Sequence, residues 1–199
     1  MQHVAFSLEI SIIVAPGVFL VNIRHFPIVP VDVLCYDDHE RSLIAMYTRE
    51  FLEKLKQQEQ DLRFSSFDLE DAYTLGTMLR EAGKKEPDPI AIRVVLDDLT
   101  VYQSFLPGTG LSNSQWMDRK YATVCHSRHS SLRAAVEREL DGIREPWQSD
   151  EEQFAFCGGG FPLVVEGKFR GAVIVSGLPH LDDHRCLTDT LAEFIKVKK

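Results

Sequence analysis

Three consecutive glycines, Gly158, Gly159 and Gly160, form the densest chemical signal in the sequence and lead directly into Phe161 and Pro162. Glycine adopts positive φ angles without strain, so such a run lets the backbone approach a ligand closely. Successive backbone N–H groups exposed in this way bind anions such as a carboxylate. A tight turn into a β-strand that begins at Phe161 explains the same residues, and the sequence favours neither interpretation.

A second cluster joins aromatic rings to cations within two helical turns, at Trp116, Arg119, Lys120 and Tyr121. Residues three or four apart are neighbours on a helix surface, so the indole and a cation can form one wall for an acidic ligand. The alternative places Trp116 in the core or in a subunit interface, with the cations solvated or paired to carboxylates. We prefer that alternative for Lys120, and Arg119 stays open.

His126 and His129 are three residues apart, and helical spacing predicts that both lie on the same helix face. A pair at this spacing supplies two metal ligands or one axial ligand of a haem iron. Two ligands do not complete a site, and only the fold can bring up further ones. The candidates for that completion are His180, Asp182, Asp183 and His184. No metal site is assigned.

The same acidic residues have a simpler role at the start of the last helix. Asp182 or Asp183 is expected to cap it, because a carboxylate accepts free backbone N–H groups and suits the helix dipole. His184 then belongs to the first turn, where its ring can face the glycine-rich strand end. For His184 and His129, a hydrogen-bonded structural histidine is the alternative to a functional one.

The loop LPGTG at residues 106–110 is a weaker candidate. Thr109 and Asn113 can hydrogen-bond a bound group, but Gly108 and Gly110 lack the third glycine of a dinucleotide fingerprint. A plain connection from a hairpin to a helix capped at Asn113 is favoured. Motifs of the GxSxG, P-loop and HExxH types are absent from the sequence, and no catalytic residue is assigned.

These residues must be positioned by helices and by strands that come in pairs. Amphipathic spacing predicts helices over 47–60, from Asp68 to Gly83, through the middle third as far as Leu140, and at the C-terminus. The second helix should face the sheet through Leu69, Ala72, Leu75, Leu79 and Ala82. β-Branched runs predict hairpins at 90–106, turning at Asp97 and Asp98, and at 161–176, turning at Gly167 and Lys168. Adjacent strand pairs predict an α/β (α+β) fold with an antiparallel sheet flanked by helices.

The length, net charge and cysteine content of the chain indicate the broad class of protein to which it belongs. A chain of 199 residues with 44% hydrophobic side chains fits one globular domain. The net charge of -8 leaves no basic surface for a phosphate backbone, so no nucleic acid partner is expected. The apolar stretch 10–23 is too short to span a membrane. Four dispersed cysteines predict reduced thiols in a cytoplasmic protein.

Six stretches of the sequence together resemble an uncharacterised branch of the GlcG/HbpS-like haem-degrading-domain superfamily. They are FSSFDLEDA from Phe64, FLPGTG from Phe105, WMDRK from Trp116, HSS from His129, GGGFPLVVEG from Gly158 and GAVIVSGLPHLDDH from Gly171. The resemblance covers residues 51–195 and implies a three-layer α/β/α, profilin-like fold and a symmetric homo-oligomer. It also gives weight to the matched positions His129, Ser130, Gly159, Phe161, Pro162, Asp183 and His184.

The resemblance does not extend to residues 1–45, and Met46 stands directly before the first predicted helix, at 47–60, in which the family-like region begins. We therefore predict two parts: an N-terminal extension at 1–45, disordered or the product of a misassigned gene start, and an α/β domain at 46–199. A genuine N-terminal strand is the alternative.

Two functions of different kinds follow from these residues and from the resemblance. The first is a ligand-binding protein, for which haem or a related acidic small molecule is the candidate ligand. Its candidate ligand-binding residues are Trp116, Arg119, His129, Ser130, Gly158, Gly159, Gly160, Phe161, Pro162, Asp183 and His184. The alternative is a non-catalytic oligomeric adaptor that recruits protein partners, since Trp, Tyr and Arg are favoured at interface centres. An enzyme with a histidine as general base ranks last, because no substrate can be named.

Overall fold

The chain divides into two units, Met1–Met46 and Tyr47–Lys199, which are described separately. The computed structural model describes residues 10–15, 18–23 and 47–198. In the first unit, β1 (Ile10–Ala15) and β2 (Val18–Ile23) pair in antiparallel orientation. The division into an extension at 1–45 and a domain at 46–199 stays a prediction.

The second unit builds one antiparallel sheet from two hairpins. It begins with the helices α1 (Arg49–Asp61) and α2 (Leu69–Gly83), followed by β3 (Ala91–Leu96) and β4 (Leu99–Phe105). Next come α3 (Leu111–Ser127), α4 (Ser131–Asp141) and a short 3-10 helix (Pro146–Ser149). The second hairpin, β5 (Gly160–Val165) and β6 (Lys168–Ser176), leads into α5 (His180–Lys198). The strand order is β4-β3-β6-β5 with antiparallel neighbours, which confirms the predicted sheet.

Helices cover both faces of this sheet. On one face, Leu75 of α2 and Leu187 of α5 pack with Val173 of β6. On the other face, Met117 of α3 packs with Ala172. Successive strand residues point to opposite sides, so Ala172 and Val173 belong to different layers. The predicted α/β/α architecture is confirmed, and a separate apolar cluster joins α1 to α4. In the described part of the chain, no helix is long and apolar enough to cross a membrane.

Local signals predicted the first hairpin turn and the start of α2 correctly. Asp97 and Asp98 have φ angles of 51° and 62°, as a two-residue turn between antiparallel strands requires. Asp68 caps α2: its side chain accepts the Asp71 N–H, and its own N–H donates to the Asp71 carboxylate. Each of these arrangements depends on residues no more than three apart in the chain.

Two other details differ from the prediction. Leu69, expected on the packed face of α2, is 60% exposed, because α2 begins at this residue and its buried face starts at Ala72. The second hairpin turns at Glu166 and Gly167, one residue earlier than predicted. Both of these residues have positive φ angles, 49° and 74°, and β6 has already begun at Lys168.

The middle third is helical, as predicted, but the predicted helix face shared by His126 and His129 is wrong. α3 ends before Arg128, which adopts a left-handed conformation with φ 61°, and the chain turns there. Ser130 then caps α4, its hydroxyl oxygen accepting a backbone N–H of the first turn at 3.2 Å. His126 belongs to the end of α3, whereas His129 lies in the connection between the helices. The predicted pair of histidines on one helix face therefore does not form.

Candidate functional site

A cavity of about 420 Å³ opens where α3, the end of β6 and the start of α5 meet, and we name it the Trp116 pocket. Its lining consists of Ser112, Asn113, Trp116, Lys120, Cys157, Ser176, Gly177, Leu178, His180 and Asp183. Small-molecule sites in proteins have volumes of about 300–1,000 Å³. Of the predicted ligand-binding residues, Trp116 and Asp183 line this pocket directly.

A buried ion pair forms part of the pocket wall. Lys120 Nζ lies 2.7 Å from Asp183 Oδ2 and also donates to the carbonyl oxygen of Val175 at 2.9 Å. Both side chains are almost fully enclosed, with 3% of Lys120 and 2% of Asp183 exposed. Charges persist at such burial when they are paired and hydrogen-bonded. Lys120 is thus paired to a carboxylate, as preferred above, but it is not solvated.

Neither Asp182 nor Asp183 caps α5, so that prediction is wrong. The helix begins before both residues, and they lie within its first turn. The Asp183 carboxylate instead accepts the N–H groups of Leu178 at 3.0 Å and Gly177 at 3.4 Å, in the segment that precedes the helix. Burial raises the pKa of Asp183, while the Lys120 charge and these hydrogen bonds act in the opposite direction.

Trp116 stands at the wall of the pocket with 40% of its surface exposed, so it is not a core residue. The Arg119 guanidinium lies 4.3 Å from the indole centroid in a cation–π contact. Arg119 also donates to the backbone carbonyls of Glu151 and Phe154. Its Nε is buried and has no hydrogen-bond partner among residues 47–198. The aromatic wall with an adjacent cation is present, and its contact with a ligand stays a prediction.

His180 and Cys157 line the side of the pocket nearest the glycine run. The Gly158 N–H donates to His180 Nδ1 at 3.4 Å, and the Tyr47 ring meets the imidazole edge-on with centroids 6.5 Å apart. Burial raises the pKa of Cys157. Burial is also the main reason why the pKa of Tyr47 is raised to about 12. Both groups are therefore neutral at pH 7.

Polar groups from the start of α3 form the opposite side of the pocket. Gly110 takes the N-cap position of α3, so Asn113 lies in the first turn and is not the predicted cap. Its side chain accepts the Gly110 N–H at 2.9 Å and donates to the Ser176 carbonyl at 3.1 Å. Three lining residues, Ser112, Ser176 and Cys157, were not among the predicted site residues. The available signal for Cys157 was its position directly before the glycine run.

The glycine run is packed against the protein's own atoms. Gly159 has φ +104°, and a Cβ atom there would lie 2.6 Å from Lys120 Nζ and collide with the Val175 carbonyl oxygen. Gly158 and Gly160 leave no room for a side chain either, and their N–H groups donate within the protein. The tight turn into β5 accounts for these contacts. A direct role of the run in binding an anion stays a prediction.

Phe161, Pro162 and His184 are buried residues that do not line the pocket. The Phe161 ring centroid lies 6.1 Å from that of His184. His184 Nε2 is 2.8 Å from Gln58 Oε1, whereas Nδ1 is buried without a partner in the described part of the chain. This pattern fits a neutral imidazole that donates from Nε2. Burial is the main cause that lowers the pKa of His184 to about 4.

His129 and Ser130 lie at the turn between α3 and α4 and do not line the pocket. His129 Nδ1 is 3.7 Å from Glu137 Oε2, and the Ser130 N–H donates to a carboxylate of α1 at 2.8 Å. The His126 ring packs on Trp147 with centroids 4.5 Å apart. No group of three or more His, Cys, Asp and Glu residues that could hold a metal ion occurs among the described residues.

The chain is similar in sequence and in fold to known proteins. A family described as haem degrading protein HbpS-like matches residues 67–192. A UPF0303 protein of Brucella melitensis is 36% identical over 141 residues, which cover 69% of this chain and 83% of that protein. The crystal structure of the Ybr137w protein has a TM-score of 0.69 at 26% identity, covering 81% of this chain and 96% of that one.

A more distant structure shares the fold alone. The PduOC:heme complex has a TM-score of 0.57 at 16% identity and covers 65% of this chain and 94% of that one. The predicted resemblance is confirmed by the match over residues 67–192 and by the UPF0303 relative. The chain belongs to the HbpS-like haem degrading protein family and is a relative of the UPF0303 proteins.

Proposed function

We propose that this chain binds a flat, acidic small molecule in the Trp116 pocket, with haem or a related compound as the candidate ligand. The observation that carries the proposal is the pocket lining, which combines an exposed indole with remaining N–H donors on Lys120 and Asn113. The description of the family and the PduOC complex with haem support the same class of ligand.

Two acceptors of the pocket lining, the Asp183 carboxylate and the Ser176 carbonyl, are already engaged. The Asp183 carboxylate accepts from Lys120 and from two backbone N–H groups, and the Ser176 carbonyl accepts from Asn113. Donors remain: the Lys120 ammonium has three N–H bonds for two partners among the described residues, and the Asn113 amide keeps a second N–H. The Trp116 indole N–H adds another. A lining of this kind favours a ligand that presents carboxylate oxygens.

A haem would use this lining in a specific way. Trp116 offers an apolar face to the macrocycle, and the donors suit the propionate carboxylates. His180 would hold the iron, because it lines the pocket whereas His129 and His184 do not. In the structure His180 Nδ1 accepts the Gly158 N–H. Iron bound at Nε2 would place the ring proton on Nδ1, so this hydrogen bond would have to break.

A haemin titration of the full chain tests the proposal. We expect saturable binding with a shifted Soret band, and we expect His180→Ala to abolish the shift because it removes the iron ligand. Trp116→Ala should weaken binding by roughly tenfold and keep the shifted band, since an aromatic contact contributes about 0.5–1.5 kcal/mol beyond its buried area. His126→Ala is the matched control, because its ring is exposed and does not line the pocket.

Two outcomes would contradict the proposal. Haemin binding no tighter than that of an unrelated acidic protein would remove haem as the ligand. A shifted band that survives in His180→Ala and disappears in His129→Ala or His184→Ala would move the iron away from the Trp116 pocket.

A non-catalytic oligomeric adaptor is the second candidate, because large apolar side chains are exposed outside the pocket lining. Leu69 and Tyr73 on α2 and Leu99 on β4 are each more than half exposed. Exposed apolar patches mark protein–protein contacts. In this proposal the chain is a cytoplasmic homo-oligomer that recruits protein partners. Lysine substitutions at Tyr73 and Leu99 should then abolish partner binding and leave the haemin titration unchanged.

A further inference from the structure

A second cavity of about 420 Å³ lies at the end of α5, far from the Trp116 pocket, and we name it the Arg63 pocket. Its lining consists of Arg63, Phe64, Ser65, Ser66, Ile195 and Lys198. Asp183 lines the first cavity and Lys198 the second, and a rise of about 1.5 Å per residue places them about 22 Å apart along α5. The two cavities share no lining residue, so each can be tested without the other.

The lining of the Arg63 pocket is basic. It contains two cations, Arg63 and Lys198, and no aspartate or glutamate from the described part of the chain. The chain as a whole carries a formal net charge of -8, so this cavity has the opposite charge to the rest of the protein. A concave surface lined by one sign of charge raises the local concentration of ions of the other sign. The cavity therefore favours an anion.

The Arg63 guanidinium keeps most of its hydrogen-bond donors. Its Nε donates to the Glu59 carbonyl, one helical turn earlier, at 3.3 Å. Neither Nη atom has a partner among residues 47–198, and no carboxylate there forms an ion pair with Arg63. A guanidinium presents parallel N–H bonds in a rigid fork, which matches two oxygens of a carboxylate or a phosphate. Arg63 thus retains both its charge and its paired donors for a ligand.

Lys198 is held in place at the cavity by two contacts. Its ammonium group pairs with the Asp71 carboxylate and donates to the Ser66 carbonyl at 2.6 Å. Only 23% of the Lys198 side chain is exposed. An ammonium group has three N–H bonds, so one remains for a ligand. Because Asp71 offsets the charge of Lys198, Arg63 supplies the net positive charge of the site.

The backbone between these cations is fixed to the edge of the sheet. The Phe64 N–H donates to the Val164 carbonyl, and the Phe64 carbonyl accepts the Glu166 N–H, both at 2.9 Å. Arg63 directly precedes this anchor, and two serines directly follow it. The hydroxyls of both serines have no hydrogen-bond partner in the part of the chain that the structure describes. The donors are therefore arranged around a rigid point before any ligand binds.

We propose that the Arg63 pocket binds the phosphate group of a small phosphorylated molecule. The remaining donors are the Nη N–H bonds of Arg63, the two serine hydroxyls and one N–H of Lys198. They exceed what the two oxygens of a carboxylate can use, whereas a phosphate monoester presents three terminal oxygens and a second negative charge. Phe64 and Ile195 add an apolar side to the cavity, which suits the organic part of such a molecule.

An NMR titration of the isotope-labelled full chain tests this site. The ligands are phenyl phosphate, inorganic phosphate and benzoate, each added at an ionic strength of about 0.15 M. The amide signals of Ser65 and Ser66 report the Arg63 pocket, and those of Gly177 and Leu178 report the Trp116 pocket. We expect saturable shifts of the two serine signals, with phenyl phosphate binding most tightly. Inorganic phosphate lacks the apolar part and benzoate lacks the second charge, so both should bind more weakly.

Substitutions at Arg63 identify the residue that carries the binding. Arg63→Gln should raise the Kd for phenyl phosphate roughly 10- to 100-fold, because it removes the charge and the paired donors. Arg63→Lys keeps the charge without the fork and should give an intermediate value. Arg63 is exposed and contacts only a backbone carbonyl, so both variants should fold. Lys196→Gln is the matched control: it removes an exposed charge of α5 outside the lining and should change the Kd less than about threefold.

The outcomes distinguish the possible ligands of this cavity. The absence of saturable shifts at Ser65 and Ser66 with either phosphate compound would overturn the site, as would an unchanged Kd in Arg63→Gln. Benzoate binding as tight as that of phenyl phosphate would overturn the choice of a phosphate group. Inorganic phosphate binding as tight as the ester would support the phosphate site and exclude a contribution of the organic part. None of these results depends on haemin binding in the Trp116 pocket.

Discussion

Replacing Lys120 with methionine tests the energetic role of the buried ion pair beside the pocket. The substitution keeps a long unbranched side chain, so the main loss is the ammonium group. The Asp183 carboxylate, 2% exposed, would then be held only by the N–H groups of Leu178 and Gly177. We expect the free energy of unfolding at about pH 8 to fall by about 3–5 kcal/mol, the cost of leaving one buried charge without its partner.

The loss of unfolding free energy caused by Lys120→Met should depend on pH, and the burial of Asp183 sets the direction of that dependence. Burial raises the pKa of this carboxyl above its ordinary value of 3.8, and loss of the Lys120 charge should raise it further. A carboxyl whose pKa is higher in the folded chain binds more protons there, so stability falls as the pH rises from 3.8 towards the folded pKa. The slope is at most about 1.4 kcal/mol per pH unit. Lys120→Met should therefore cost less at about pH 5 than at about pH 8.

Urea unfolding of three variants at both pH values provides the assay. Asp183→Asn removes the negative charge at nearly constant shape, and the double variant Lys120→Met/Asp183→Asn removes both charges. Because the two residues form one pair, the double variant should cost less than the sum of the single ones, by roughly 2–3 kcal/mol. It should also lack the pH dependence of Lys120→Met. Additive costs, or a cost of Lys120→Met that is equal at both pH values, would refute this reasoning.

Two further predictions concern buried groups near the pocket. The pKa of His184 is lowered from 6.5 to about 4, so the unfolded chain takes up the proton first as the pH falls. Stability should drop by up to about 3 kcal/mol between about pH 6.5 and about pH 4, and His184→Gln should flatten this part of a urea-unfolding profile. An equally steep profile in that variant would contradict the assignment. Gly159→Ala should cost at least about 2 kcal/mol, because φ is +104° and Cβ would meet the Val175 carbonyl. Gly142→Ala, with φ +74° and open space around it, should cost only about 1 kcal/mol, and equal losses would exclude the steric cause.

Local chemistry explains which parts of the fold were predictable. The turn at Asp97 and Asp98 and the capping box of Asp68 and Asp71 each depend on a few neighbouring residues. The break at Arg128 has no such signal, because a left-handed residue at a helix end is usually glycine or asparagine. The pattern therefore placed His126 and His129 on one helix, whereas α3 ends between them at Ser127.

The ion pair joins residues 63 positions apart, which no local pattern can connect. One clue was nevertheless present in the sequence. Lys120 is spaced three residues after Met117 and four before Val124, and both of these are fully buried. A charged residue on the apolar stripe of a helix must find a buried partner. Trp116, four residues before Lys120, lies at the edge of that stripe, which agrees with its partial exposure at the pocket.

The glycine run and the pocket are linked through this same ion pair. A side chain on Gly159 would occupy the space next to Lys120 Nζ and Asp183 Cβ, so glycine there allows the two charges to meet. The residues with the strongest sequence signal thus pack one layer behind the cavity, against Lys120, whose remaining N–H would donate to a ligand in the proposed site. It follows that Gly159→Ala and Lys120→Met should both weaken ligand binding, but by different routes. The first displaces the ammonium group, and the second removes it.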